Sequence, residues 1–328
     1  MINIMSAFSK FDYGLFKQIA QLSATSLLST MEIYLTHKKY NSVTKSDKYI
    51  YAMGDIPIAL VAHVDTVFST PPKNIYYDRQ EEILWSPEGL GADDRAGVYA
   101  IVKILKLGYK PHIIFTTDEE LGAIGAINLT QDITDPFADM KYIIQLDRRG
   151  KRDCVFYDCD NKDFVTYIES FGFEKNYGTF SDISMICPSW GIAGVNLSVG
   201  YINEHSISET LHAVTLNNTI QKVIKMLKDA ENSSYFNYVP DPKAFDWRKY
   251  YLSSGTVCHH CKKEFSEYEM FPVKCADGKN RYFCPDCIAD NVNWCSVCDS
   301  AFEITDSNRK DEIALCDDCK KELIGDVI

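Results

Sequence analysis

Apolar residues along the first 230 positions follow two alternating rhythms. Ile56 to Ala62 is an apolar run, the pattern of a strand buried on both faces. Ile113 to Thr117, Tyr142 to Leu146 and Val195 to Val199 repeat it in shorter form. Between them the spacing changes to that of a helix. Ala96 to Leu107 places Val98, Ile101, Val102 and Leu105 on one face, and Gly108 stands where such a helix would stop. Gly122 to Leu129, Asp163 to Phe171 and Glu209 to Leu227 read as further helices. Alternating strands and helices predict an α/β fold with a mixed, largely parallel sheet sandwiched by helices. Ligands of such sheets sit at the carboxyl ends of the strands.

Composition changes this picture in two ways. The chain has 328 residues, 34 basic and 46 acidic, with a net charge of −12. That charge disfavours general binding to nucleic acid or to an anionic membrane. No apolar run approaches the roughly 20 residues of a membrane helix. Met1 to Phe16 shows no apolar core followed by a small-residue cleavage site, so a cytoplasmic location is expected. The twelve cysteines are unevenly spread: Cys154, Cys159 and Cys187 stand alone, and nine lie between Cys258 and Cys319. Asn232 to Trp247, with two prolines, several aromatic residues and little periodicity, reads as a packed connector. The expected organisation is a domain over 1–235, a connector over 236–256 and a small C-terminal domain over 257–328.

The C-terminal cysteines form four Cys-x-x-Cys knuckles: Cys258 and Cys261, Cys284 and Cys287, Cys295 and Cys298, Cys316 and Cys319. Within consecutive pairs of knuckles the gaps are 22 and 17 residues. Each pair suits a tetrahedral four-thiolate zinc site, so two structural zinc ions are expected. Tandem zinc-ribbon or LIM-like modules are the preferred connectivity, and an interleaved cross-brace is the alternative. Cys275 is left over, and His259 or His260 could replace a thiolate. From Cys258 onward there are nine basic and fifteen acidic residues, and eight thiolates with two zinc ions would add a further −4. Such a field repels phosphate. A protein partner, or capping of a substrate cleft, is therefore the expected role of this module.

Polar residues gather where the strand patterns of the first domain end. His63 and Asp65 follow the first apolar run and, if the strand persists, point to one face. Asp93 and Asp94 stand in Gly-Leu-Gly-Ala-Asp-Asp-Arg-Ala-Gly just before a helix. Glu119 and Glu120 follow Thr117, Asp147 follows Leu146, and His205 follows Val199 by six positions. Each has an ordinary reading: a solvated strand end, a helix cap or a surface carboxylate. Their repetition at successive strand ends points instead to a metal centre. Arg148 and Arg149 could hold a substrate carboxylate or simply be solvated. The glycine-led segment Gly178 to Ser184 could approach a substrate or be an ordinary loop.

In order and spacing, His63-Val-Asp65, Gly91-Ala-Asp93-Asp-Arg-Ala-Gly97, Thr117-Asp-Glu119-Glu120-Leu-Gly, Asp147 and His205 resemble the co-catalytic dizinc exopeptidase superfamily. The likeness is to peptidase T-like and tetrahedral aminopeptidase sequences and spans about residues 45 to 230. The resemblance implies two catalytic divalent metals, zinc or else cobalt or manganese. It implies that His63 and Asp147 bind one, that Glu120 and His205 bind the other, and that Asp93 bridges both. Glu119 would be the general base and Asp65 would orient His63. The peptide bond after Asp93 would be cis. The implied activity is hydrolysis of peptide or related amide bonds, most simply as an aminopeptidase acting on a peptide or small amide. The alternative is a catalytically idle, hydrolase-like protein that recognises a partner through its zinc module. Only 57 residues separate Asp147 from His205, too few for the lid or dimerisation domain that peptidase T-like enzymes insert there.

Overall fold

The apolar run starting at Ile56 forms the third strand of an eight-stranded sheet in this computed structural model, which describes residues 11–242, 256–265, 270–275, 277–284, 287–288, 291–298, 300–305 and 314–324. Two units, Met1–Ala244 and Phe245–Ile328, make up the chain. The first opens with helices α1 (Tyr13–Ala20) and α2 (Ala24–His37), then strands β1 (Ser42–Lys45), β2 (Tyr49–Met53) and β3 (Ile56–His63). The short strands β4 (Tyr76–Asp78) and β5 (Ile83–Trp85) precede α3 (Ala92–Lys106) and β6 (Pro111–Thr116). There follow α4 (Ile124–Asp132), β7 (Tyr142–Arg148), β8 (Asp153–Val155), α5 (Lys162–Glu169), β9 (Glu174–Asn176) and α6 (Asp182–Trp190). The unit closes with β10 (Gly194–Ser198), β11 (Tyr201–Ile202), β12 (Thr210–His212) and α7 (Ala213–Lys228).

The large sheet has the order β1-β2-β6-β3-β7-β10-β8-β9. Its four central strands, β6, β3, β7 and β10, run parallel. Both faces of these strands are covered, which is why they read as apolar runs. Ile58, Leu60 and Ala62 belong to one core with Tyr99 of α3 and Leu216 of α7. Ala59 and Val61 point the other way, toward the side on which α4 and α6 pack. The fold is therefore the mixed, helix-flanked α/β sandwich that the alternation predicts.

The structure departs from the sequence pattern in two places. Glu209 to Leu227 is not one helix: Thr210–His212 is a strand and the helix begins at Ala213. This strand pairs with β5 and β11 in a second, antiparallel sheet of order β11-β12-β5-β4. Helix α3 is entered earlier than Ala96, through non-helical backbone at Asp93 and Asp94. Residues 236–241, within the expected connector, lie against the first unit: Phe236 packs on Tyr142, Phe164 and Tyr167, and its carbonyl accepts from Ala193 N at 2.8 Å. The rest of that connector, 243–255, lies outside the described residues, as does Trp247. Between Asp147 and His205 the chain builds β8, α5, β9, α6 and β10, leaving no inserted lid there.

In the second unit, β13 (Thr256–Val257) and β14 (Glu264–Phe265) pair as a hairpin. A four-stranded sheet of order β16-β15-β18-β17 joins β15 (Phe271–Lys274), β16 (Asn280–Phe283), β17 (Val292–Trp294) and β18 (Ala301–Glu303). Helix α8 (Asp317–Ile324) follows. Among the described residues, no helix is long and apolar enough to cross a membrane.

Close packing of α3 on β7 offers a test. A Cβ on Gly97 would lie 2.2 Å from Leu146 O and 2.5 Å from the Asp94 carboxylate oxygens. Gly97→Ala should lower stability by about 1–3 kcal/mol through overpacking. Denaturant unfolding measures it, and an unchanged midpoint would contradict this contact.

Candidate metal centres

Parallel strands deliver polar side chains to one edge because their carboxyl ends all lie there. His63 is the last residue of β3 and Asp147 the penultimate residue of β7. Glu119 and Glu120 follow β6, and Asp93 stands on the non-helical entry to α3. His205 arrives from elsewhere: the β11–β12 connection of the small antiparallel sheet carries it, in a left-handed conformation with φ 61°. The Asp93–Asp94 peptide bond is cis.

These side chains form two groups that share one residue. His63, Asp93 and Asp147 offer donor atoms within 4.8 Å of one another, as do Asp93, Glu120 and His205. Asp93 Oδ1 lies 3.2 Å from His63 Nε2, and Asp93 Oδ2 lies 3.1 Å from His205 Nε2. Glu120 Oε2 is 3.1 Å from His205 Nε2, and Asp147 Oδ1 is 3.6 Å from His63 Nε2. Glu119 Oε2 stands 3.9 Å from His63 Nε2. Asp65 Oδ1 faces the other ring nitrogen, His63 Nδ1, at 3.3 Å, while Asp65 Oδ2 accepts from Glu120 N at 3.2 Å. All seven residues singled out in the sequence thus meet at one sheet edge.

Negative charge is in excess here. Burial pulls the His63 imidazole down, but the surrounding Asp65, Asp147 and Asp93 carboxylates outweigh it and hold the ring well above its ordinary range. His205, bonded to Asp93 and Glu120, is raised to about 11. Burial and the neighbouring Asp93 charge push Asp147 up to about 6. Burial likewise holds Glu119 well above the carboxylate range, with His63 opposing and Asp147 adding to the shift. Asp93 is lowered, because bonds to both histidines overcome its burial. Glu120 Oε1 and Asp182 Oδ1 are buried without a hydrogen-bond partner. Histidine and carboxylate donors crowded in this way, with unpartnered oxygens among them, fit divalent cations.

Several further residues have a part here: Glu209, Gln145, Asn196 and Tyr201 were not singled out from the sequence, whereas Asp94, Ser181 and Asp182 lie in segments that were. Glu209 is fully buried, and its two carboxylate oxygens accept from Ala92 N and Asp93 N, each at 3.0 Å. Burial raises its carboxyl to about 7, against the backbone N–H groups that lower it. Asp94 accepts from His63 N and Gly97 N, tying the end of β3 to the start of α3. Gln145, Ser181 and Tyr201 all donate to the Asp147 carboxylate, at 3.0, 2.8 and 3.1 Å. Asn196 Oδ1 accepts from Asp147 N at 2.9 Å. Asp182, raised by burial to about 7, accepts from Thr116 Oγ1 at 2.5 Å. A signal existed for two of these: Gln145 and Asn196 are polar residues inside otherwise apolar strands, and both are buried. The segment Gly178 to Ser184 does approach the centre, through Ser181. Arg149 is paired with Glu204 at 2.6 Å beside His205, on a cleft of about 530 Å³, and Arg148 donates to Tyr177 O. His112 is buried and accepts from Gly54 N, while His37 is exposed.

In the second unit the thiols of Cys258, Cys261, Cys284 and Cys287 gather within 4.8 Å, and so do those of Cys295, Cys298, Cys316 and Cys319. Consecutive knuckles pair; they do not interleave.

No protein-family model and no curated protein matches the chain. Solved structures do. The aminopeptidase PepT from Bacillus cereus is 16% identical with a TM-score of 0.53, over 66% of this chain and 97% of that one. A tripeptidase from Staphylococcus aureus is 15% identical with a TM-score of 0.52, over 67% and 98%. The TET aminopeptidase of a marine-sediment thaumarchaeon is 14% identical with a TM-score of 0.51, over 67% and 98%. At such identities the likeness is one of fold.

Glu209 yields the test of this geometry. Glu209→Ala would leave the buried Ala92 and Asp93 N–H groups without their acceptor, at a cost of about 1–3 kcal/mol for each. A fall in unfolding free energy within that range is expected. A wild-type value would mean that the Asp93 turn is held by other contacts.

Proposed function

We propose that the first unit is a metal-dependent peptidase, an aminopeptidase that uses two divalent cations held by His63 and Asp147 on one side and Glu120 and His205 on the other, with Asp93 shared. The observation that carries this reading is the Asp93 carboxylate, which reaches His63 with one oxygen and His205 with the other. A carboxylate between two sets of donors is what a bridging ligand requires. Similarity in fold to PepT and TET aminopeptidases supports the reading. When bound, the two cations, zinc by donor type, would supply the Lewis-acid charge that acidifies a water and polarises the scissile carbonyl.

The chain's own residues do the rest. Asp65 fixes the His63 ring through Nδ1, leaving Nε2 directed at Asp93 and Asp147. Gln145, Ser181 and Tyr201 hold the Asp147 carboxylate in place by donating to it. Glu119 is the general base: it takes the proton of the attacking water and returns it to the leaving amine. Its enclosed position favours holding a proton, which suits the second half of that cycle. A peptide's free α-ammonium group is complementary to this carboxylate-rich edge, which favours an aminopeptidase over a carboxypeptidase. His205, the half-exposed member of the set, borders a cleft together with Arg149 and Glu204.

The thiol clusters of the second unit suit two structural zinc ions, and we assign that unit to contact with a protein partner. The expected test of the catalytic reading is Glu119→Ala. It should lower turnover of an aminoacyl amide by about 100-fold or more while metal content stays at the wild-type level. Turnover near wild type would remove Glu119 from its role.

A further inference from the structure

Beyond the eight knuckle thiols, the second unit holds another set of potential ligands. Cys275 Sγ, the His259 imidazole and a Glu303 carboxylate oxygen lie within 4.8 Å of one another. They come from three separate stretches of chain. Lys274 at the end of β15 pairs in parallel with Phe302 of β18. That register sets the next residues, Cys275 and Glu303, side by side. His259 lies inside the first knuckle, between Cys258 and Cys261. Its backbone N–H donates to Tyr282 O at 2.8 Å, and its ring meets Phe283 edge-on with centroids 5.5 Å apart. These contacts aim the imidazole at Glu303, whose Oε1 is 4.0 Å from His259 Nε2.

The position of this trio in the sheet is informative. The β15–β16 hairpin supplies Val273 and Phe283 to the core around the first four thiols, joined there by Val292 of β17, and β18 supplies Phe302 to the core around the second four. In the order β16-β15-β18-β17, the β15–β18 pairing is the seam between them. His259 and Cys275 stand on one side of that seam and Glu303 on the other.

We propose that His259, Cys275 and Glu303 bind a third divalent cation of the zinc class in this unit, and that it clasps the two cysteine modules together across the β15–β18 seam. A thiolate, an imidazole and a carboxylate are all established donors to zinc. Their combined charge of two negative units balances one such cation. Burial raises the Cys275 thiol, but Arg281, whose guanidinium is bound by Asp277 through both terminal nitrogens, one of them at 2.9 Å, also interacts with that thiol and pulls its pKa down, which favours the thiolate that a cation needs. Three protein donors leave a fourth position for another ligand, so this cation should exchange faster than those in closed four-thiolate sites. Two small modules with little core of their own gain stability from such a link. The proposal is independent of the catalytic reading of the first unit.

The test is zinc stoichiometry by native mass spectrometry of the full chain, dialysed against a zinc buffer, compared with C275S and E303Q. Each variant should carry one zinc fewer than wild type, or bind that zinc at least about tenfold more weakly in a titration. Equal stoichiometry and affinity in wild type and both variants would overturn the proposal and leave a hydrogen-bonded thiol–imidazole–carboxylate cluster without metal. Cys275 is buried, so C275S can lose further zinc by disrupting the first module. E303Q, at a partly exposed side chain, then decides: one zinc fewer, or that zinc bound at least about tenfold more weakly, supports the clasp, and the wild-type number with wild-type affinity overturns it.

Discussion

An excess of buried negative charge at the carboxyl edge of the sheet is the constraint on which the rest of the structure depends. Asp65, Asp93, Asp94, Glu119, Glu120, Asp147, Asp182 and Glu209 crowd one region, with His63, His205 and the buried Arg95 as counter-charges. Two like charges about 4 Å apart repel by about 4 kcal/mol at an effective dielectric constant near 20. A group of this size is stable only if some members are protonated or if cations sit among them. Burial favours the first solution at Asp182 and Glu209, both pushed up to about 7. The donors around Asp93 offer the second. In a metal-free chain the two imidazoles act as the cations, and metal uptake would replace their protons.

The same constraint explains how the two sheets of the first unit are coupled. His205 and Glu209 both stand in the connection between β11 and β12, in the small antiparallel sheet. His205 reaches Asp93 through a side-chain contact, and Glu209 reaches the backbone of the same residue. Asp94, next along, is bonded to the last residue of β3. A single turn, Gly91 to Asp94, therefore takes its position from the large sheet on one side and the small sheet on the other. Precise placement of a shared carboxylate needs such support, because the donors around it come from four separate elements.

Much of the centre was legible because its members follow strand patterns that are themselves easy to read. His63, Glu119, Glu120 and Asp147 each follow an apolar run, and parallel strands must end at a common edge. The supporting residues were harder to read for a physical reason. Glu209 and Asp182 sit at ordinary-looking helix starts, where an acidic residue normally serves the helix dipole; only the three-dimensional path shows that they are buried. Thr210–His212 was absorbed into the following helix because three residues are too few to establish a period of two. The helix α2 buries Leu27, Leu28, Met31 and Leu35, a helical spacing that the sequence itself carries. In the second unit the knuckle spacing shows which cysteines are neighbours. It cannot bring His259, Cys275 and Glu303 together, since that depends on strand register.

Anomalous scattering at the zinc edge, from a crystal of the zinc-loaded full chain, tests the central claim most directly. Two peaks should appear at the edge of the large sheet, one between His63 and Asp147 and one between Glu120 and His205, with the Asp93 carboxylate between them. Filled thiolate sites in the second unit together with no peak, or a single peak, at that edge would contradict the account.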